Sequence, residues 1–171
     1  MLNKLMERIN NVEMITMEQM METNYFVKEN INDLGFILIK NPELLGCYGL
    51  AITGLMFLTI DGVDNYVPGL VMDAEFEKLS ETTQRFIIGH ELGHYKYHQS
   101  KVTKTGYVRD INDEFEADEH AASMVGLEIA ITALEELKNK LYEVSCGTNT
   151  IGINEMERRI ENLMNKGLVL C

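Results

Sequence analysis

The sequence predicts an α+β fold in one domain covering residues 1–171. Two observations on the order of the elements carry this. Short apolar stretches rich in β-branched and aromatic residues lie before residue 73, and apolar residues at helical spacing dominate after residue 80. The third observation is size: a chain of 171 residues, 46% hydrophobic, has the length of one domain and enough apolar content to bury a core without staples.

Leu2, Leu5, Met6 and Ile9 recur at helical spacing, so residues 1–10 read as a helix, with a looser helix over 16–31. Phe36 to Lys40 and Cys47 to Ile60 read as strands. The uncharged run from Leu44 to Ile60 touches the lower length limit of a membrane span, but its glycines, threonines and β-branched residues favour two buried strands joined, or bulged, near Gly54. Val67 to Met72 is another short strand, and Pro68 argues for an edge or a strand entry. Ser80 is a plausible N-cap for a helix from Glu81 to about His98. Residues 99–110 are a polar connection. A second helix runs from Asn112 or Asp113 to about Tyr142, with Phe115, Ala122, Val125, Ile129 and Leu137 as its apolar stripe. Residues 145–153 read as a loop, and a last helix starts at Asn154, capped with Glu157 and stopped at Gly167.

Fifteen basic residues face twenty-seven acidic ones, a formal net charge of −12. No Lys/Arg cluster stands against that field, so direct nucleic-acid binding is not expected. Cys47, Cys146 and Cys171 form an odd, sparse set that does not read as a disulfide framework, and the N-terminus lacks the apolar core of a secretory signal. The expected setting is the cytoplasm, without a membrane anchor.

Residues 90–94 read His-Glu-Leu-Gly-His. Positions i and i+4 of a helix share a face, so His90 and His94 can reach one ion, while Glu91 can reach a water on it without ligating it. Twenty residues past His94 comes Glu114-Phe115-Glu116-Ala117-Asp118. Glu114 and Asp118 are again i and i+4. One can complete the ligand set while the other accepts a hydrogen bond from a ligand histidine, with Glu116 as the rival ligand. Ala117, Ala121 and Ala122 would let this helix approach the first closely. Asp113 and Glu119 read as solvated charges. His98 lies about 12 Å along the axis from His90, too far to share a mononuclear site, and reads as a capping or core residue.

HELGH followed by EFEAD resembles the gluzincin metallopeptidases, whose signature is HExxH with a downstream ExxxD. The runs RFIIGHELGHYKYH (85–98) and EFEADEHAA (114–122) are similar to the small ImmA/IrrE-type peptidases, although these often have Asn where this chain has Asp118. Asp118 and the segment 157–163 are closer to soluble M48-like minimal peptidases, although Gly152-Ile153-Asn154 stands where those place His-Pro. The resemblance implies Zn2+ on His90, His94 and Glu114, Asp118 behind a ligand histidine, and Glu91 as general base. It also implies a zincin-like fold, a mixed twisted sheet packed on the HExxH helix and on a second, glutamate-bearing helix. Residues 50–60 or 67–73 would then supply a substrate-pairing edge strand. The implied partner is a peptide or protein substrate, such as a repressor.

The leading expectation is peptide-bond hydrolysis, with Tyr107, Arg109, Tyr142 or Arg159 stabilising the oxyanion. The alternatives are a zinc-containing regulatory protein with little activity, which the intact Glu91 disfavours, and an amidase acting on small amides or peptidoglycan fragments. A further expectation concerns Leu168 to Cys171: the apolar tail either packs on the core or enters a cleft and holds the enzyme latent.

Overall fold

The structure, a computed structural model, describes residues 2–11, 37–40, 53–60, 63–72, 75–98, 101 and 110–169. The expected helix over 16–31, Phe36 of the first expected strand and residues 47–52 of the second lie outside these. The chain divides into two compact units, Met1–Leu79 and Ser80–Cys171.

The first unit holds α1 (Leu2–Asn10), whose Leu2, Leu5, Met6 and Ile9 are all buried as their spacing predicts. Among the described residues it also holds three strands, β1 (Ile37–Lys40), β2 (Thr53–Ile60) and β3 (Val63–Met72), in the order β1-β3-β2. β3 runs parallel to β1 and antiparallel to β2. It is therefore central, not the edge that Pro68 suggested. Pairing with β1 begins only at Gly69, so on that side Pro68 breaks no ladder among the described residues. β2 passes unbroken through Gly54, and the register irregularity sits at Thr59/Ile60 instead.

The second unit corrects the expected fold class. Its described residues contain no strand: they form α2 (Glu81–His98), α3 (Ile111–Val125), α4 (Leu127–Val144) and α5 (Thr150–Val169). Among its described residues the unit that carries the HELGH motif is helical throughout, so it is not by itself an α+β zincin-like domain. Within this unit α2 packs on α3 and α4, and α5 packs on α3 and α4.

Local chemistry sets the helix ends. Ser80 caps α2, its Oγ accepting from the Thr83 N–H at 3.3 Å. Glu136 of α4 fastens that end, accepting from the Ser80 N–H at 3.1 Å, the Ser80 hydroxyl at 2.6 Å and the Thr83 hydroxyl. Burial works against the Glu136 carboxylate, but these hydrogen bonds outweigh it and hold its pKa below the ordinary value. Asp110 caps α3 through the Asn112 N–H, at 3.0 Å. The single long helix expected over 112–142 is broken at Gly126, whose φ of 99° side-chain-bearing residues rarely adopt. The break resets the helical phase. Ile129, expected in the stripe, is exposed, while Ala130, Ala133, Leu134, Leu137 and Leu141 are buried at i, i+3, i+4, i+7 and i+11. α5 starts four residues earlier than expected, because the Asn149 side chain accepts from the Gly152 N–H at 3.0 Å and caps it. It also runs through Gly167, where a Cβ would lie 2.6 Å from Leu127 Cδ2, so this glycine is a packing contact between α4 and α5 and not a stop. The side chains of the tail from 168 on lie outside the described residues.

Among the described residues no helix is long and apolar enough to cross a membrane.

The α2–α3 contact is the tightest feature relevant to the motif. A Cβ on Gly93 would sit 2.8 Å from Ala117 Cα and 3.1 Å from Ala117 O, so the two backbones touch there. Ala117 and Ala121 are fully buried, as their size predicts, whereas Ala122 is partly exposed. Gly93→Ala gains helix propensity but must push α3 away, and we expect a net loss of about 1–3 kcal/mol in urea unfolding. Gly167→Ala meets only the flexible end of Leu127 and is expected to cost less; equal costs would contradict this account of the contact.

Candidate metal centre

α2 places His90 and His94 one turn apart with their rings at 89° and centroids 4.5 Å apart. Their Nε2 atoms are 3.0 Å from each other. The first turn of α3 supplies Glu114, whose Oε2 lies 3.3 Å from His90 Nε2 and whose Oε1 lies 3.2 Å from His94 Nε2. The three groups form a cluster able to hold a metal ion. Four-coordinate zinc with bonds of about 2.0–2.1 Å keeps its ligand atoms about 3.3 Å apart, close to these spacings. The donor set fits as well: two imidazole nitrogens and a carboxylate facing one point need a positive charge there.

The electrostatics agree. Burial opposes a charge on His90, but hydrogen bonds to Asp118 and Glu114 outweigh it and raise its pKa to about 9. The metal-free protein therefore keeps at neutral pH a proton that an incoming cation displaces. Glu114 is held far below the ordinary carboxylate range in spite of burial, by hydrogen bonds from His90 and His94.

Asp118 lies behind His90. Its Oδ1 is 2.8 Å from His90 Nδ1, and the same carboxylate accepts from Arg159 Nη2 at 2.6 Å and Nε at 2.8 Å. Arg159 Nη1 lies 3.3 Å from Glu114 Oε2. All of this is buried: Asp118 has 0% and Arg159 4% of its surface exposed. Despite burial, the Arg159 charge lowers the Asp118 pKa, and Asp118 in turn raises that of Arg159. Of the four oxyanion candidates, Arg159 is thus engaged with the carboxylates behind and beside His90. Tyr142 is exposed on α4, and Tyr107 and Arg109 lie outside the described residues.

Glu91 is buried beside His90 on α2. Glu116, the rival ligand, is turned to His98, with its Oε2 3.0 Å from His98 Nε2. Sequence reasoning missed this second group. His98 is buried, its Nδ1 is 3.0 Å from His94 Nδ1, and its Nε2 is 3.3 Å from Asp113 Oδ1. Asp113, expected to be solvated, is buried and ion-paired with Lys101. The signal was present in the i, i+4 spacing of His94 and His98, the same spacing that joins His90 to His94. Glu119 pairs with Lys166 at 3.0 Å, and His120 packs edge-on against Tyr97.

Comparison with known proteins agrees with the geometry. Residues 76–139 match the family model Peptidase_M78, the IrrE N-terminal-like domain. No curated protein and no solved structure matches the chain at a significant level. The matched span contains the whole HELGH motif and Glu114, so residues 76–139 carry an ImmA/IrrE-like (Peptidase_M78) domain whose His90-Glu91-x-x-His94/Glu114 cluster is consistent with an HExxH-type zinc site.

Proposed function

We propose that the protein is a zinc-dependent endopeptidase with His90, His94 and Glu114 as metal ligands and Glu91 as general base. The observation that carries this reading is the convergence of two Nε2 atoms and one carboxylate within 3.0–3.3 Å, with a glutamate next to the first histidine on the same helix. A zinc ion held there would polarise a peptide carbonyl and acidify the attacking water. Glu91 takes the proton from that water and delivers it to the leaving amine. Asp118 fixes the His90 ring through Nδ1, leaving Nε2 for the ion, and Arg159 neutralises Asp118. The substrate is a peptide or protein, and residues 1–171 act as one peptidase domain. The sparse cysteines support a cytoplasmic setting.

Zinc is expected at one ion per chain. The His90→Ala/His94→Ala double variant should lose it, and Glu114→Ala should lower affinity far more than Glu116→Ala in competition with a chelator. Full zinc stoichiometry in the double variant would sink the ligand set. Glu91→Gln should keep zinc and lose cleavage of a peptide library. A wild type that holds one zinc and cleaves neither peptides nor small amides would make the domain a metal-binding module instead.

Asp118→Ala should leave detectable zinc binding but weaken it about 10- to 100-fold. It should also cost about 3–5 kcal/mol of stability, because Arg159 is left buried without its main counter-charge. Chelator competition and urea unfolding read the two effects separately; unchanged affinity would remove Asp118 from the centre.

A further inference from the structure

Arg159 reaches the centre from α5 and faces two carboxylates, Glu114 and Asp118, that stand one turn apart on α3. Its Nε donates to Asp118 Oδ2 at 2.8 Å and its Nη2 to Asp118 Oδ1 at 2.6 Å. This two-point bond fixes the plane of the guanidinium, and with it the direction of the remaining nitrogen. That nitrogen, Nη1, lies 3.3 Å from Glu114 Oε2. The guanidinium keeps its charge at any pH the fold tolerates, and with 4% of Arg159 exposed that charge is little screened. Neutralising Asp118 would take only a point charge, such as an ammonium. The planar fork adds the second contact. A carboxylate turns about its Cγ–Cδ bond. With Glu114 Oε2 held by Nη1 and 3.3 Å from His90 Nε2, Oε1 is the oxygen turned to His94 Nε2, at 3.2 Å.

We propose that Arg159 is a positioning residue for Glu114: its fork, anchored on Asp118, holds Glu114 Oε2 and so fixes the rotation at which this carboxylate is presented to the ion. The inference rests on reading Glu114 as a metal ligand. Support for two of the ligands then runs along separate routes, to His90 through Asp118 and to Glu114 directly from the guanidinium. A lysine at this position would keep a charge beside Asp118 but lose the rigid fork, and with it the hold on Glu114.

The test is a double-mutant cycle between Arg159→Lys and Glu114→Ala, with zinc affinity read by chelator competition. Arg159→Lys alone should weaken zinc binding about 10- to 100-fold. In the Glu114→Ala background it should lose most of that effect, because the carboxylate it acts on is gone. An equal loss in both backgrounds means that Arg159 serves the centre through Asp118 alone and overturns the proposal, as does an Arg159→Lys protein with wild-type affinity. The second readout is spectroscopic. With Co2+ in place of zinc, Arg159→Lys should change the position and intensity of the visible d–d bands, and in the Glu114→Ala background it should leave them as they are; unchanged bands in the first case also overturn the role. Failure of the ligand reading shows separately, as a Glu114→Ala protein with undiminished zinc affinity, and the proposal falls with it. If Arg159→Lys does not fold, a crystal structure of the zinc-loaded wild type decides: Nη1 on a Glu114 oxygen supports the role, and a guanidinium on Asp118 alone overturns it.

Discussion

Two helices can bring three ligand atoms to one point only if their backbones come closer than ordinary side chains permit, and here the closeness comes from a missing methyl group. Gly93 immediately precedes the second histidine, with Ala117 Cα 2.8 Å from where its Cβ would be. Ala117 is three residues after Glu114 and one before Asp118, so the contact that draws α3 inward also sets the height of both carboxylates against the two imidazoles. Ala121 continues the contact one turn on, opposite Gly89. A larger side chain at any of these positions would push the two helices apart, and Glu114 would move with its helix. The small residues of the motif and of the following helix therefore set the geometry of the candidate metal cluster as much as its donor groups do.

Around His90 the charges nearly balance without a metal. Glu114 and Asp118 bring two negative charges into a buried space and Arg159 brings one positive charge. The remaining negative charge is met by a proton on His90, or by a cation that displaces it. A buried ion pair contributes little net stability once desolvation is counted, but losing one member of it is expensive. The arrangement is thus better understood as a holder for a cation than as a source of folding energy.

The site was more legible in the sequence than the fold. His90, His94 and Glu114 are visible because a metal cluster requires particular residue types at helical spacing, and the burial of Ala117 and Ala121 follows from size alone. The helical character of the described residues of the site-bearing unit was visible, since every element read after residue 80 is a helix; the sheet that the resemblance placed in the same domain is what the division into two units does not bear out. Gly126 hid the break between α3 and α4, since a lone glycine in an apolar periodic run reads as a tolerated interruption. Pro68 misled because its effect depends on where the neighbouring strand begins to pair, a matter of register that local sequence does not carry. Asp113 misled for a related reason: its burial depends on Lys101 and His98, which come from the connection and from the far end of another helix.

Arg159 has a consequence for what counts as the unit of function. The family match ends at residue 139, past all three metal-facing groups, yet the guanidinium that neutralises Asp118 comes from α5, twenty residues further on. A polypeptide cut at the end of the match would possess every candidate donor atom but lack the guanidinium that hydrogen-bonds Asp118 behind the first histidine. The charge balance of the cluster therefore includes a residue of the last helix, and the unit to consider is the whole helical unit and not the matched span alone.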